Sequence, residues 1–306
     1  MNNTAYLTPP SGIVDAVLDT DAYNEIDDQF AIAYMLRSRE RIRTHAIYAA
    51  PFHNEKSASY ADGMERSYEE IKKILALMGE DDMPVYRGES VRIDPACASS
   101  PFSPSEAVLD LVERSRGYTS EHRLYVIAIG AITNIARATL LEPSITERIT
   151  VVWLGANAHH WPHNSEFNLN GDVTAARIVM GSGVPFVSLP CVGVVSAFTT
   201  SEHELRHWLG GKGALCDYLV ENTVAAAEKY AKGTPWTRVI WDVCAVGWLV
   251  GGDRLVRSDL REIRLPDYDH GYEPPIEGSV MRYVYEIRRD ALFSDMVSKL
   301  TRAPEQ

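Results

Sequence analysis

Short apolar runs alternate with helical patterns along this chain, and that alternation is the strongest constraint on its fold. The runs fall at residues 14–18, 44–49, 124–129, 149–154 and 185–189. Helical patterns lie near 28–37, 63–78 and 173–180, with another opened by Thr133. Strands that are apolar throughout are covered on both faces. The pattern therefore predicts an α/β fold, an open, Rossmann-like, mostly parallel sheet flanked by helices. Beyond about residue 190 the pattern turns helical, over 202–209, 215–232 and 243–250. One strand-like run at 280–287 and a helix near 291–300 follow. No Pro-, Gly- or Ser-rich linker divides the 306 residues, so one domain spanning 1–306 is expected.

A net charge of −12 argues against unassisted binding to nucleic acid or to an anionic membrane, which want clustered Lys and Arg. Cys97, Cys191, Cys216 and Cys244 are far apart and form no CxxC pair, so they read as reduced, mostly packed thiols. The first residues carry neither a basic nor an apolar leader, and no run of eighteen apolar residues occurs. A cytoplasmic protein is the expectation.

Chemistry is most concentrated where the first strand ends. Asp19, Asp21, Asp27 and Asp28 fall within ten positions, with Glu25 between them. Crowded like charges repel unless a cation or polar ligand neutralises them. A helix start favours one carboxylate by about 0.3–1 kcal/mol, and this turn holds five. Three more polar features follow strands at the same inferred sheet edge, where such folds bind ligands. They are Gly130-Ala131-Ile132-Thr133-Asn134, the segment Asn164-Ser165-Glu166-Phe167-Asn168, and Trp241-Asp242 opening an apolar helix that Gly251-Gly252 can end. Phe167 is expected to anchor its loop apolar side down, leaving Glu166 and Asn168 on the other side. Each feature also has an ordinary reading. Thr133-Asn134 and Asp242 can simply start helices, and Glu166 and Asn168 can be solvated loop residues. Together they assemble hard oxygen donors, which suit calcium or magnesium better than zinc or copper.

In their order and spacing these pieces resemble the inosine–uridine-preferring nucleoside hydrolase family over roughly residues 13–250. The shared features are Asp-x-Asp after the first strand with Asp-Asp opening a helix, Gly-x-Ile-Thr-Asn, Glu-Phe-Asn with Gly171 and Asp172 beyond, and Asp242 before a buried helix. The resemblance implies a hydrolase that splits a ribonucleoside into base and ribose. It implies one Ca2+ held by Asp21, Asp28, the Thr133 carbonyl and Asp242, with Asp21 also the general base. Asp27, Glu166 and Asn168 would grip the ribose, assisted by Asn164 and Asn54. A small-molecule nucleoside would be the substrate, and a homodimer or homotetramer is implied.

The chain departs from the family pattern in three places. Its first turn is two residues longer than Asp-x-Asp-Pro-Gly-x-Asp-Asp and lacks Pro-Gly. The extra residues are expected to bulge outward, with Asn24 or Glu25 available as a further ligand. Trp241 stands where some members carry a His that aids the departing base, and the 96–105 loop lacks another such His. Leaving-group activation is thus unassigned. Trp241 is a candidate to stack on the base, against simple packing beside Trp248 and Val243. His159, His160 and His163 are candidate acids against a solvated loop, and residues 268–272 are a candidate cap. Two other functions stay open. Asp-x-Asp after a first strand also marks haloacid-dehalogenase-type phosphatases, although these want a Thr and a later Lys. A non-catalytic ribose- or nucleoside-binding protein on the same scaffold would fit the altered turn.

Overall fold

The computed structural model describes residues 4–98 and 100–302. Its elements in chain order are β1 (Val14–Thr20), α1 (Asp28–Leu36), β2 (Ile42–Ala49), α2 (Tyr60–Met78), β3 (Val85–Arg87), α3 (Glu106–Ser115), β4 (Leu124–Ala128) and α4 (Thr133–Leu141). Then come β5 (Ile149–Leu154), α5 (Phe167–Gly171), α6 (Val173–Gly181), β6 (Phe186–Leu189), β7 (Thr199–Thr200) and α7 (Glu202–Trp208). The chain closes with α8 (Ala214–Ala231), β8 (Arg238–Val239), α9 (Val243–Gly251), β9 (Val256–Glu262), β10 (Val280–Ile287) and α10 (Arg289–Leu300).

Eight strands form one sheet in the order β3-β2-β1-β4-β5-β6-β10-β9, and only β9 runs antiparallel to its neighbour. Successive residues along a strand serve opposite faces. Ala16 and Leu18 join one apolar cluster and Val17 the other; Val152 and Leu154 part from Val151 and Trp153 in the same way. This two-faced burial explains why the strands read as unbroken apolar runs. Helices α1 and α9 are apolar on every side because each is buried all round. Gly247 of α9 lets α10 approach, since a Cβ there would lie 2.6 Å from Leu292 Cδ1. Local signals set helix ends too. Ser59 caps α2 by accepting from the Asp62 N–H, and Gly79 ends it at φ 70°.

Beyond residue 190, β7 and β8 pair in a small separate sheet, and β9 and β10 join the main one. β10 is the expected run at 280–287, and it pairs parallel with β6. β9 has no apolar signature because it is an edge strand, half of whose residues face solvent. β3 and α3 are likewise absent from the sequence-based expectation. β3 has only three residues, none fully buried.

The strand order reverses its direction of growth between β1 and β4. Their carboxyl ends therefore diverge into a crevice, the place where open α/β sheets bind ligands.

Candidate active site

A cavity of about 270 Å³ opens in this crevice, close to the lower bound of roughly 300 Å³ for small-molecule sites. The acidic turn supplies much of its wall. The β1–α1 connection is pinned inward by buried Ala22 and Ile26, so it cannot swing out into solvent. Gln29 Nε2 donates to the Ala22 carbonyl at 2.8 Å, and the Asn24 N–H donates to the Asp21 carbonyl at 2.7 Å. The lengthened turn therefore does not bulge away, and Asn24 and Glu25 line the cavity. Asn54 Nδ2 donates to Asn24 Oδ1 at 2.8 Å, and Glu25 is ion-paired with Arg238 of β8.

Asp27, Asp28 and Asp242 meet here, each offering an oxygen within 4.8 Å of the others. Asp21 joins the same wall. Its neighbour is Gly130, just past β4, where a Cβ would lie 3.1 Å from Asp21 Cγ. All four acids are buried, and neither Asp27 nor Asp242 makes a side-chain cap bond to its helix. The helix-start reading therefore does not account for them. Asp28 Oδ1 accepts from the Thr20 hydroxyl at 2.5 Å, whereas Asp21 Oδ2 and Asp27 Oδ1 are buried without a hydrogen-bond partner. A buried acceptor left unpaired is costly, and a cation would relieve several at once.

Burial, and then mutual repulsion, push the Asp21, Asp28 and Asp242 carboxyls well above their usual range; Asp27 is also raised. Asp19 lies behind them, held by Asn134 Nδ2 at 2.6 Å, and burial pushes it up to about 7. Without a cation the cluster holds protons; with one, these all-oxygen donors suit a hard divalent ion.

The opposite wall comes from the β5–α5 loop and the start of α5. Glu166 accepts from three backbone N–H groups, Ala156 and Leu169 at Oε2 (2.8 and 2.9 Å) and Asn168 at Oε1 (3.0 Å). It thus caps α5 while presenting its carboxylate to the cavity. Desolvation still raises its carboxyl above the normal value. Asn168 Nδ2 donates to the Ile129 and Leu154 carbonyls at 3.1 and 3.0 Å, which leaves its Oδ1 free. Phe167 is exposed at the cavity, not anchored beneath the loop as its position suggests. A one-turn helix brings it round to the same side as its neighbours.

Of the sequence-based candidates, the structure brings Asp21, Asp27, Asp28, Glu166, Asn168, Trp241 and Asp242 together around one cavity. Thr133, whose carbonyl was the expected ligand, is not among the lining residues; its hydroxyl donates to Asp172 at 2.9 Å. Ile129, just past β4, does line the cavity. Asn54 and Asn164 stand one step behind. Asn164 Oδ1 accepts from the Asn157 N–H at 2.7 Å, and Asn157 and Ser165 are the lining residues. Cys191 also lines the cavity, its thiol pushed up by burial and lying against Glu166. A strand-end position after β6 was its only signal in the sequence.

Trp241 is half-buried, with part of its ring on the core and part on the cavity. The loop histidines are elsewhere. His159 packs against Tyr272 and Tyr283, and burial followed by Arg264 lowers it to about 4. His163 Nδ1 accepts from the Ser165 N–H at 3.3 Å, and neither it nor His160 lines the cavity. Residues 268–272 brace the loop from behind. The Asn164 N–H donates to the His270 carbonyl at 2.6 Å, and the Tyr272 hydroxyl donates to the Asn157 carbonyl at 2.6 Å.

Residues 16–265 match the model of a family described as inosine-uridine preferring nucleoside hydrolase. Among curated relatives, the pyrimidine-specific ribonucleoside hydrolase RihB of Shigella flexneri serotype 5b is 26% identical over 148 residues, 46% of this chain and 46% of that protein. RihA of Citrobacter koseri, described in the same terms, is 23% identical over 215 residues, 61% of this chain and 66% of that protein. The chain thus spans about half the length of the first of these relatives and about two thirds of the second. Among solved structures, the plant nucleoside hydrolase PpNRh1 superposes with a TM-score of 0.73 at 16% identity, over 96% of this chain and 100% of that one. A purine-preferring ribonucleoside hydrolase from Gardnerella vaginalis gives 0.69 at 19% identity, over 94% and 98%. At such identities these two structures bear on the fold alone.

Proposed function

The chain belongs to the inosine-uridine preferring nucleoside hydrolase family, and on that premise we propose that it hydrolyses the N-glycosidic bond of a ribonucleoside with one bound calcium ion. One observation carries the reading. Acids from both ends of the chain meet in one cavity, with buried, unpartnered oxygens on Asp21 and Asp27.

Asp21, Asp28, Asp242 and the Thr133 carbonyl would hold the ion, with Asp27 in reach. Bound calcium supplies a double positive charge that acidifies a water and grips a vicinal diol. The protein's own groups do the rest. Asp21 Oδ2, free of other partners, takes the proton of the water that adds to C1′. Asp27 and Asn168 Oδ1 accept from ribose hydroxyls, and so does the remaining lone pair of Glu166. Three N–H donors fix Glu166 in place before substrate arrives. The surrounding carboxylates stabilise positive charge as the C1′–N bond breaks. Asn54 and Asn164 act through Asn24 and Asn157, which they hold.

A phosphatase would want a lysine beside the acids, and among the described residues no lysine lines the cavity. Nothing in the site favours a purely binding role. A panel of ribosides scored for released reducing sugar, with calcium, after chelation and after calcium is restored, tests the reading. Sugar release should vanish on chelation and return with calcium, and Asp21→Asn should lower kcat at least 100-fold. Release indifferent to chelation would end the metal assignment; no release from any riboside would end the hydrolase reading. Light scattering tests the homodimer or homotetramer that family membership implies.

A further inference from the structure

The cavity is one-sided in charge. Asp21, Glu25, Asp27, Asp28, Glu166 and Asp242 all line it, and among the described residues no Lys, Arg, His or Tyr does. Glu25 is ion-paired with Arg238, and Lys56 Nζ donates to the Asn24 carbonyl; the five remaining carboxylates outnumber the two charges of one divalent ion. The rest of the lining includes two aromatic side chains, half-buried Trp241 and exposed Phe167. Aromatic faces beside carboxylates, with no basic side chain among the lining residues, are the chemistry that recognises an organic cation.

Among the described residues, the cavity also offers no proton donor that is free of the ion and of other partners. A neutral nucleoside loses its base as an anion unless an acid protonates it while the bond breaks. Each group nearby is committed elsewhere. Glu25 is ion-paired with Arg238, and Glu166 holds three N–H groups. The Cys191 thiol, a weak acid, lies against Glu166. His159 is packed between Tyr272 and Tyr283, and His163 takes the Ser165 N–H.

We propose that this site serves ribosides whose base already carries a positive charge, such as an N-ribosylpyridinium or an N7-alkylated purine riboside. The proposal rests on the N-ribohydrolase reading and names its substrate class. Such a base needs no acid. As C1′–N breaks, the bonding pair goes to the ring nitrogen and the base leaves neutral. The water oxygen bonds to C1′; one of its two protons goes to Asp21 and the other stays on the new C1′ hydroxyl. Trp241, in the place of a proton donor, contributes a face for the cationic ring.

The test compares four ribosides on the calcium-loaded protein. They are nicotinamide riboside (cationic), uridine and inosine (neutral), and p-nitrophenyl riboside, whose leaving group also departs without a proton. Product inhibition by 1-methylnicotinamide and by uncharged nicotinamide isolates charge recognition from intrinsic reactivity. The proposal expects kcat/KM for nicotinamide riboside at least 100-fold above uridine and inosine, and a Ki for 1-methylnicotinamide at least 10-fold below that of nicotinamide. A smaller margin in either comparison overturns the proposal and leaves the hydrolase reading standing; cleavage of p-nitrophenyl riboside alone, which breaks a C1′–O bond, overturns both. Failure to cleave any of the four overturns both.

Discussion

Replacing Asp28 by Asn should reverse sign with calcium. The carboxylates of Asp27, Asp28 and Asp242 lie within 4.8 Å of one another. At an effective dielectric of about 20, two unit charges at that separation repel by about 3 kcal/mol. The cluster evades part of this by holding protons, so about 1–3 kcal/mol should remain at pH 8. Asn is nearly isosteric, can still accept from the Thr20 hydroxyl, and brings an amide donor to a cluster with an unpartnered oxygen on Asp27. In chelator, Asp28→Asn should therefore melt about 2–6 °C above the wild type. With calcium at a hundred times its dissociation constant, the wild type should gain about 2.7 kcal/mol, and the variant little or nothing. Thermal unfolding by circular dichroism in chelator and in excess calcium gives all four numbers. A variant less stable than wild type in chelator would show that the acids do not repel one another. Equal calcium gains in both proteins would show that Asp28 is not a ligand.

Glu166→Gln leaves one amide N–H pointing at a backbone N–H and weakens charge-assisted bonds, at a cost of about 3 kcal/mol in urea unfolding; a loss under 0.5 kcal/mol would contradict the three bonds assigned to it. Gly88→Ala places a Cβ 2.1 Å from the Ala49 carbonyl oxygen and 2.4 Å from Asn134 Nδ2, so little folded protein should be recovered. Gly79→Ala, with open space but φ 70°, should fold with a loss of about 1 kcal/mol; equal yields of the two would refute the close approach at Gly88. His159 has a folded pKa near 4 against 6.5 in the unfolded chain. Between these values the unfolded state binds more protons, so this contribution is complete above pH 6.5 and fades as pH falls towards 4. His159→Phe should flatten that part of the stability profile and leave riboside cleavage within threefold; a variant that keeps the wild-type slope would disprove the assignment.

Much of the frame was legible because it is written locally. The run at 149–154 is apolar apart from Thr150 because β5 is covered on both faces, and β5 begins and ends where that run does. Edge strand β9 was not legible, since half its residues face water and its pairing with β10 is a long-range event. The partner of the Thr133 hydroxyl was not legible either, because Asp172, to which it donates, is 39 positions away. Cys191 and Asn157 have no local signature, because what brings each to the cavity is the side-by-side placement of β5 and β6.

The sequence by itself determined the alternation of strands and helices and the crowding of acids where the first strand ends, since both depend on neighbours a few positions apart. Only the tertiary structure decided which acids share a cavity, that the longer turn lines it, and that no basic side chain among the described residues does. Those outcomes depend on strand order and on the direction each side chain takes at a sheet edge. A chain's local pattern does not carry that information, because the partners are more than a hundred residues apart and meet only when α9 packs on α1 and the sheet sets β5 beside β4 and β4 beside β1.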